Sequence, residues 1–232
     1  MTRIKDSPYN PPMTATAPGT RTPEPPLAGR IDLDDFDAML AVSPSWSERH
    51  SQVSRGRARI RLAIATTGRT QLAYAAKSPG CRIDGAPVPG MSLLGITLVG
   101  PFLQLQGQQW RPDCFGYVPS GTEYAVMSSA PHRMLALAVR SDLLDRAARS
   151  RWGHGLPIDR SGPVLRERRP GGSGDVARTW LRWVATAVRH PELLRDPAVS
   201  AQMEEELLGS ILDGSDMVDG PEPAKPWREL AL

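Results

Sequence analysis

Side chains that could do covalent or metal chemistry are few in this chain and poorly clustered. The four histidines, His50, His132, His154 and His190, lie at spacings that do not gather them on neighbouring strands. A His/carboxylate metal site needs that gathering, so no metal is expected. His132 follows Pro131 at a strand entry and reads as a surface or hydrogen-bonded group. Glu123, the acidic residue of the central turn–strand segment, reads as solvated. There is no G-x-S-x-G elbow to present a serine nucleophile. Gly171-Gly172-Ser173-Gly174 lacks the lysine and the preceding strand of a phosphate loop and reads as a linker. Cys81 and Cys114 are the two cysteines, expected as reduced packing residues. These observations predict neither a catalytic residue nor a cofactor. What remains is a set suited to binding. Gln104, Gln106, Trp110, Tyr117 and Tyr124 could line an apolar pocket with a few placed polar groups, as small-molecule sites require. The competing reading puts the aromatics in an ordinary barrel core and the glutamines on a wet strand face, because alternation alone does not say which face points inward.

The elements that must position these residues centre on Leu93 to Ser128. Leu103 and Leu105 precede a polar hairpin tip at Gln106-Gly107-Gln108-Gln109. After Trp110 come a strand from Cys114 to Val118, the turn Pro119-Ser120-Gly121, and a strand from Thr122 to Met127. Gly and Pro at this spacing mark turns, and the aromatic and β-branched residues between them suit a pleated surface. Upstream, Ile60, Leu62 and Ile64 alternate with Arg59 and Arg61, the period of a half-buried strand. Thr67-Gly68-Arg69 is a hairpin turn with its return strand at Gln71 to Ala75. Glu48 to Ser54 reads as a polar edge strand, and Gly80 to Gly90 as a loop. Asp34 or Asp35 is expected to cap a short helix carrying Phe36 and Met39. Arg133 to Val139 is a nearly continuous apolar run, a strand buried on both faces, followed by a helix capped by Ser141.

Two further helices are expected. Val176, Trp180, Leu181, Val184 and Val188 follow Asp175 at helical spacing, and Asp196-Pro197 is a second start signal. In that last helix Val199, Met203, Leu207 and Ile211 form one stripe, widened by Leu208 and Leu212, with Glu204, Glu205 and Glu206 facing away or rimming it. The expected organisation is a proline-rich disordered arm over 1–30, a β-barrel over 31–150, an exposed connector over 151–174 holding the basic run Arg166 to Arg169, a helical hairpin over 175–213, and a flexible tail over 214–232. The fold class is mainly β with α: an antiparallel barrel followed by an αα-hairpin. Across 232 residues the net charge is +3 with the basic residues dispersed, a weak basis for nucleic-acid binding. No apolar run is long enough to cross a bilayer and the first residues lack a signal-peptide core, so a cytoplasmic location is expected.

The segment Trp110-Arg111-Pro112-Asp113-Cys114-Phe115-Gly116-Tyr117-Val118-Pro119-Ser120-Gly121-Thr122-Glu123 resembles the strand–turn segment of the cupin-like (jelly-roll) sensor domain in AraC-family transcriptional regulators. The order short helix, antiparallel barrel, helical pair resembles the amino-terminal half of those proteins over roughly residues 31–212. The resemblance implies a barrel that binds a small effector or receives another signal. It also implies a helical pair that dimerises, which would place Val199, Met203, Leu207 and Ile211 at a homodimer seam. The carboxyl-terminal helix-turn-helix pair of the family has no counterpart here, because about a hundred further residues would be needed. Pro221-Glu222-Pro223 and Pro226-Trp227 look like the linker that would lead into it. The expectation is therefore a sensor and dimerisation module, truncated or stand-alone, without specific DNA binding of its own. The alternatives are a small cupin-type enzyme and an interaction protein that forms mixed dimers with a full-length regulator.

Overall fold

The computed structural model of the chain describes residues 28–42, 46–100, 103–156, 161–167 and 173–214. Among these, the strands run β1 (Ala28–Leu33), β2 (Trp46–Gln52), β3 (Arg59–Thr66), β4 (Thr70–Ser78), β5 (Cys81–Pro87), β6 (Met91–Val99), β7 (Leu103–Leu105), β8 (Gln108–Gln109), β9 (Cys114–Val118), β10 (Tyr124–Ser128), β11 (His132–Arg140) and β12 (Val164–Glu167). The α-helices are α1 (Ser141–Trp152), α2 (Ser173–Arg189) and α3 (Pro197–Gly214). The strands form a seven-stranded sheet in the order β1-β3-β4-β11-β6-β9-β12 and a five-stranded sheet in the order β2-β5-β10-β7-β8. Every pairing is antiparallel.

Two apolar cores divide the molecule into three layers, and strand alternation assigns residues to each. On β11, Met134, Ala136 and Ala138 face the five-stranded sheet, whereas Leu135, Leu137 and Val139 face the helices. The nearly unbroken apolar run of this strand follows from its central place, covered on both faces. β3, between β1 and β4, sends Ile60, Leu62 and Ile64 into the inter-sheet core, with Arg59 and Arg61 exposed. The two sheets face each other as a sandwich of jelly-roll type and do not close into one continuous barrel.

The structure changes several expectations. Residues 28–30 belong to β1, while the rest of the proline-rich arm lies outside the described residues, as do 215–232 of the tail. The helix expected after Asp34 is a single 3₁₀ segment, Asp37–Val42. The glycine- and proline-bearing stretch after Gly80 is a strand, β5, held between β2 and β10. Within the expected connector, Val164–Glu167 pairs with β9 as an edge strand, so Arg166 belongs to a sheet; 157–160 and 168–172 lie outside the described residues. Ser141 is the first residue of α1 and makes no cap; its Oγ lies 2.8 Å from Ser92 Oγ. α2 begins at Ser173, ahead of Asp175. Asp196 does cap α3, its Oδ1 accepting from the Ala198 amide at 2.8 Å.

The largest correction concerns the stripe on α3. Met203, Leu207, Leu208, Ile211 and Leu212 are buried within the single chain, packed with Val176, Trp180 and Val184 of α2 and with Leu94, Ile96 and Phe115 of the seven-stranded sheet; Val199 packs partly buried at the same core. The Val199–Met203–Leu207–Ile211 stripe, expected at a subunit seam, is thus covered within the single chain. The reason is geometric: the outer face of a seven-stranded sheet is wide enough to absorb both helices. Glu204 is also inward, 4 % exposed, with its carboxylate on the β3–β4 turn. Truncating Leu207 to Ala is expected to reduce stability by about 2–5 kcal/mol in urea unfolding. Leu207→Glu should give an unfolded or molten chain, and a well-folded Leu207→Glu monomer would contradict this placement.

Candidate functional site

The inner face of the seven-stranded sheet is built from small residues at its centre. Ala73 and Ala75 of β4, Gly95 of β6, Gly116 of β9 and Ala136 of β11 all border one enclosed cavity of ≈ 50 Å³ between the sheets. Glycine is required at two of these positions because Trp110 lies directly on the backbone. A Cβ at Gly95 would sit 2.7 Å from Trp110 Cη2, and one at Gly116 would sit 2.8 Å from Cζ2. Trp110 follows the β7–β8 hairpin and is held by its amide on the Leu103 carbonyl (2.8 Å) and by its indole N–H on the Cys114 carbonyl (3.4 Å). The hairpin itself turns on Gln106 and Gly107, both at positive φ (51° and 77°), the arrangement of a two-residue primed turn.

The cavity is apolar except along one wall. There Glu48 of β2, Lys77 of β4 and Tyr124 of β10 border it, and His50 of β2 stands between the first two. The Lys77 ammonium lies 3.3 Å from His50 Nδ1, and His50 Nε2 lies 2.9 Å from Glu48 Oε2. An ammonium can only donate, so Nδ1 accepts, Nε2 carries the proton, and the neutral ring passes a hydrogen bond on to the carboxylate. Tyr124 donates its hydroxyl to the other carboxylate oxygen, Glu48 Oε1. The result is an ordered relay from β4 across to β2 and β10. Lys77 is 4 % and His50 5 % exposed.

The electrostatics agree with this assignment. Burial pushes the Glu48 carboxyl up, but the His50 hydrogen bond, the Lys77 charge and the Tyr124 hydroxyl together outweigh it and hold the group below its ordinary value. Burial, aided by Lys77, keeps His50 below its usual value against the pull of Glu48. Burial and the neighbouring carboxylate push the Tyr124 hydroxyl well up, so it remains a donor. Beside Lys77 in the sheet register stands His132, 2 % exposed, with no hydrogen-bond partner on either ring nitrogen. Burial first, then the charge of Lys77, bring His132 down to about 4; the Ala130 carbonyl pulls the other way but falls short of hydrogen-bond geometry.

Of the residues singled out from the sequence, Trp110 and Tyr124 border the cavity. The other three do not. Gln104 alternates with the inward Leu103 and Leu105, Gln106 is a turn residue bonded to the Glu123 carbonyl at 3.3 Å, and Tyr117 faces the helices with its hydroxyl 3.4 Å from Ser92 Oγ. Sequence reasoning passed over Glu48, His50 and Lys77. A signal was present: Lys77 continues the inward period Ala73, Ala75, and Glu48 and His50 are two apart on one strand face. Among the described residues no group of three or more His, Cys, Asp or Glu gathers to hold a metal. No described helix is long and apolar enough to cross a membrane.

A family model for the AraC-binding-like domain matches residues 46–213. Among solved structures, the AraC-like transcriptional activator CuxR is similar with a TM-score of 0.50 at 11 % identity, covering 86 % of this chain and 73 % of that one. An RmlC-like cupin from Shewanella frigidimarina aligns over 35 % of this chain and 76 % of its own, at 7 % identity and a TM-score of 0.28. A predicted oxalate decarboxylase from Thermotoga maritima aligns over 39 % and 91 %, at 14 % identity and a TM-score of 0.31. No curated protein matches the chain.

The histidines generate a pH prediction. Between the ordinary histidine value of 6.5 and about 4, the unfolded chain binds a proton at residue 132 that the folded chain refuses. Stability is therefore full above 6.5 and falls as the pH drops through this window, by about 1.4 kcal/mol per pH unit from this group. His50 acts in the same direction. Urea unfolding at stepped pH is expected to show the decline, with a shallower slope in His132→Leu; an unchanged slope in that variant would refute the assignment.

Proposed function

The chain belongs to the AraC-binding-like domain family, and from that premise we propose that it is the effector-sensing module of an AraC-type transcriptional regulator, with the inter-sheet cavity as its small-molecule site. The observation that carries this reading is the combination at one place of an enclosed apolar cavity, a tryptophan laid on two glycines, and a buried polar relay on a single wall. Small-molecule sites have this composition: an apolar lining for affinity and a few convergent polar groups for orientation. In this reading Trp110 supplies the flat apolar wall, Glu48 and Lys77 orient the ligand, and Tyr124 and His50 hold Glu48 in place.

Of the residues first assigned to ligand contact, Trp110 and Tyr124 keep that role, and Gln104, Gln106 and Tyr117 give way to Glu48 and Lys77. The role requires no chemical step at the relay, in which Lys77, His50 and Glu48 are joined in one hydrogen-bond chain. Any pairing of subunits must use a surface other than the α3 stripe, since that stripe is buried in the monomer.

A thermal-shift screen of small metabolites against the full chain tests the proposal. A ligand at a hundredfold excess over its Kd stabilises by about 2.7 kcal/mol. Ala136→Leu, which fills the cavity from β11, should remain folded at a cost of about 1–3 kcal/mol and lose that response. A ligand whose stabilisation survives in Ala136→Leu would place the effector site elsewhere.

A further inference from the structure

We infer that the cavity takes a small, electrically neutral molecule with a short aliphatic body and one head group that both donates and accepts hydrogen bonds, as in a short-chain alcohol or primary amide. The inference rests on the reading of the cavity as a binding site and narrows what that site accepts. Three observations lead to it: charge balance, unused hydrogen-bonding capacity, and size.

The polar wall is already neutral as a unit. Lys77 carries one positive charge and Glu48 one negative, and the ring between them accepts from one and donates to the other. A ligand carboxylate drawn to Lys77 would bring a second negative charge beside Glu48, and a ligand ammonium drawn to Glu48 would meet Lys77. In an enclosed apolar space either ion leaves one buried charge uncompensated, the most unfavourable outcome for a desolvated group. A zwitterion would match the two charges but requires two ionic groups to leave water for a cavity that is otherwise apolar.

The remaining capacity of the wall is one-sided at each end. A carboxylate offers about four acceptor sites, and Glu48 has two engaged, one by Tyr124 and one by His50. An ammonium has three donors, and Lys77 has one engaged, by His50. Tyr124 has its hydroxyl proton committed to Glu48. The wall therefore presents an acceptor at Glu48 and a donor at Lys77, and a head group satisfies both only if it donates to the first and accepts from the second. A hydroxyl or a primary amide does so; an ether, ketone or hydrocarbon does not.

Size sets the body. A cavity that admits benzene is about 150 Å³, and this one is ≈ 50 Å³. An aromatic ring does not fit without rearrangement. A short alkyl chain fits with the latitude that Met39 and Met134, flexible side chains on the lining, provide.

The test uses the full chain at pH 7.5 and four two-carbon probes matched in length: ethanol, acetate, ethylammonium and glycine, titrated by 1H–15N correlation NMR with the Trp110 indole N–H resonance as the site reporter. The expected result is ethanol binding tighter than each of the other three by about tenfold or more, the scale of penalty for an uncompensated buried charge. Two variants change the charge balance in opposite senses. Glu48→Gln, which preserves shape, leaves Lys77 unopposed and should reverse the ionic preference towards acetate. Lys77→Met leaves Glu48 unopposed and should turn it towards ethylammonium. Tighter binding of any charged probe to the wild-type chain, or an unchanged preference in Glu48→Gln, overturns the inference while leaving the cavity as a site. Absence of binding by all four probes removes the binding-site reading itself, and this inference with it.

Discussion

The link from Lys77 through His50 to Glu48, set between the two sheets, constrains everything around it. Glu48 comes from the five-stranded sheet and Lys77 from the seven-stranded one, so the His50-bridged link is a polar tie across an otherwise apolar interface. Desolvating both groups is expensive, and a buried pair of this kind contributes little net stability compared with apolar residues of the same volume. Its effect is on specificity. Removing one partner strands the other, at a cost of about 3–5 kcal/mol, so the two sheets have one favourable way to face each other. β2 is also the edge of its sheet, and charged side chains pointing inward from an edge strand discourage pairing with a foreign strand. One placement of charge thus serves registration of the sandwich and protection of its edge.

A polar tie of this length needs space, and the small residues of the inner face supply it. Ala73, Ala75, Gly95, Gly116 and Ala136 leave a hollow where a typical sandwich core would interdigitate larger side chains. Trp110 closes part of that hollow by lying flat on the two glycines, and what it leaves is the cavity. The opposite face of the same strands carries the bulk: Leu72, Leu94, Ile96, Phe115, Leu135 and Leu137 pack on the helices. The sheet is therefore firmly packed on its helix side and hollow on its cavity side, a division produced by simple alternation along each strand.

That division explains how much could be read in advance. The turns, the alternation of β3, the doubly buried β11 and the helical periodicity after Asp175 are local patterns, and each appears as an element in the structure. Trp110 and Tyr124 were visible as aromatics beside turns. Glu48, His50 and Lys77 were not, because a charged residue on a short polar strand has the same local signature whether it faces water or a partner across a sandwich. Only the pairing of β2 with β5, and the stacking of that sheet on β4, brings them within hydrogen-bond distance. The α3 stripe failed for the related reason that periodicity reveals an apolar face without revealing what covers it. Here the cover is the chain's own sheet and α2.

The same helix also shows how the cavity side and the helix side are joined. Glu204 of α3 is buried and accepts from Thr67 Oγ1 at 2.5 Å and from Arg69, both in the turn between β3 and β4. Those two strands carry Leu62, Ile64, Ala73, Ala75 and Lys77, a large share of the cavity wall. A carboxylate gripping a hairpin turn in a partly desolvated setting is a strong, directional contact, and β-strands in a close-packed core transmit displacement because there are few voids to absorb it. The strands of the cavity wall are thus joined, through their turn and Glu204, to α3. The apolar stripe of that helix keeps α3 on the sheet, so that the hairpin that frames the cavity and the helix that ends the described chain are packed together.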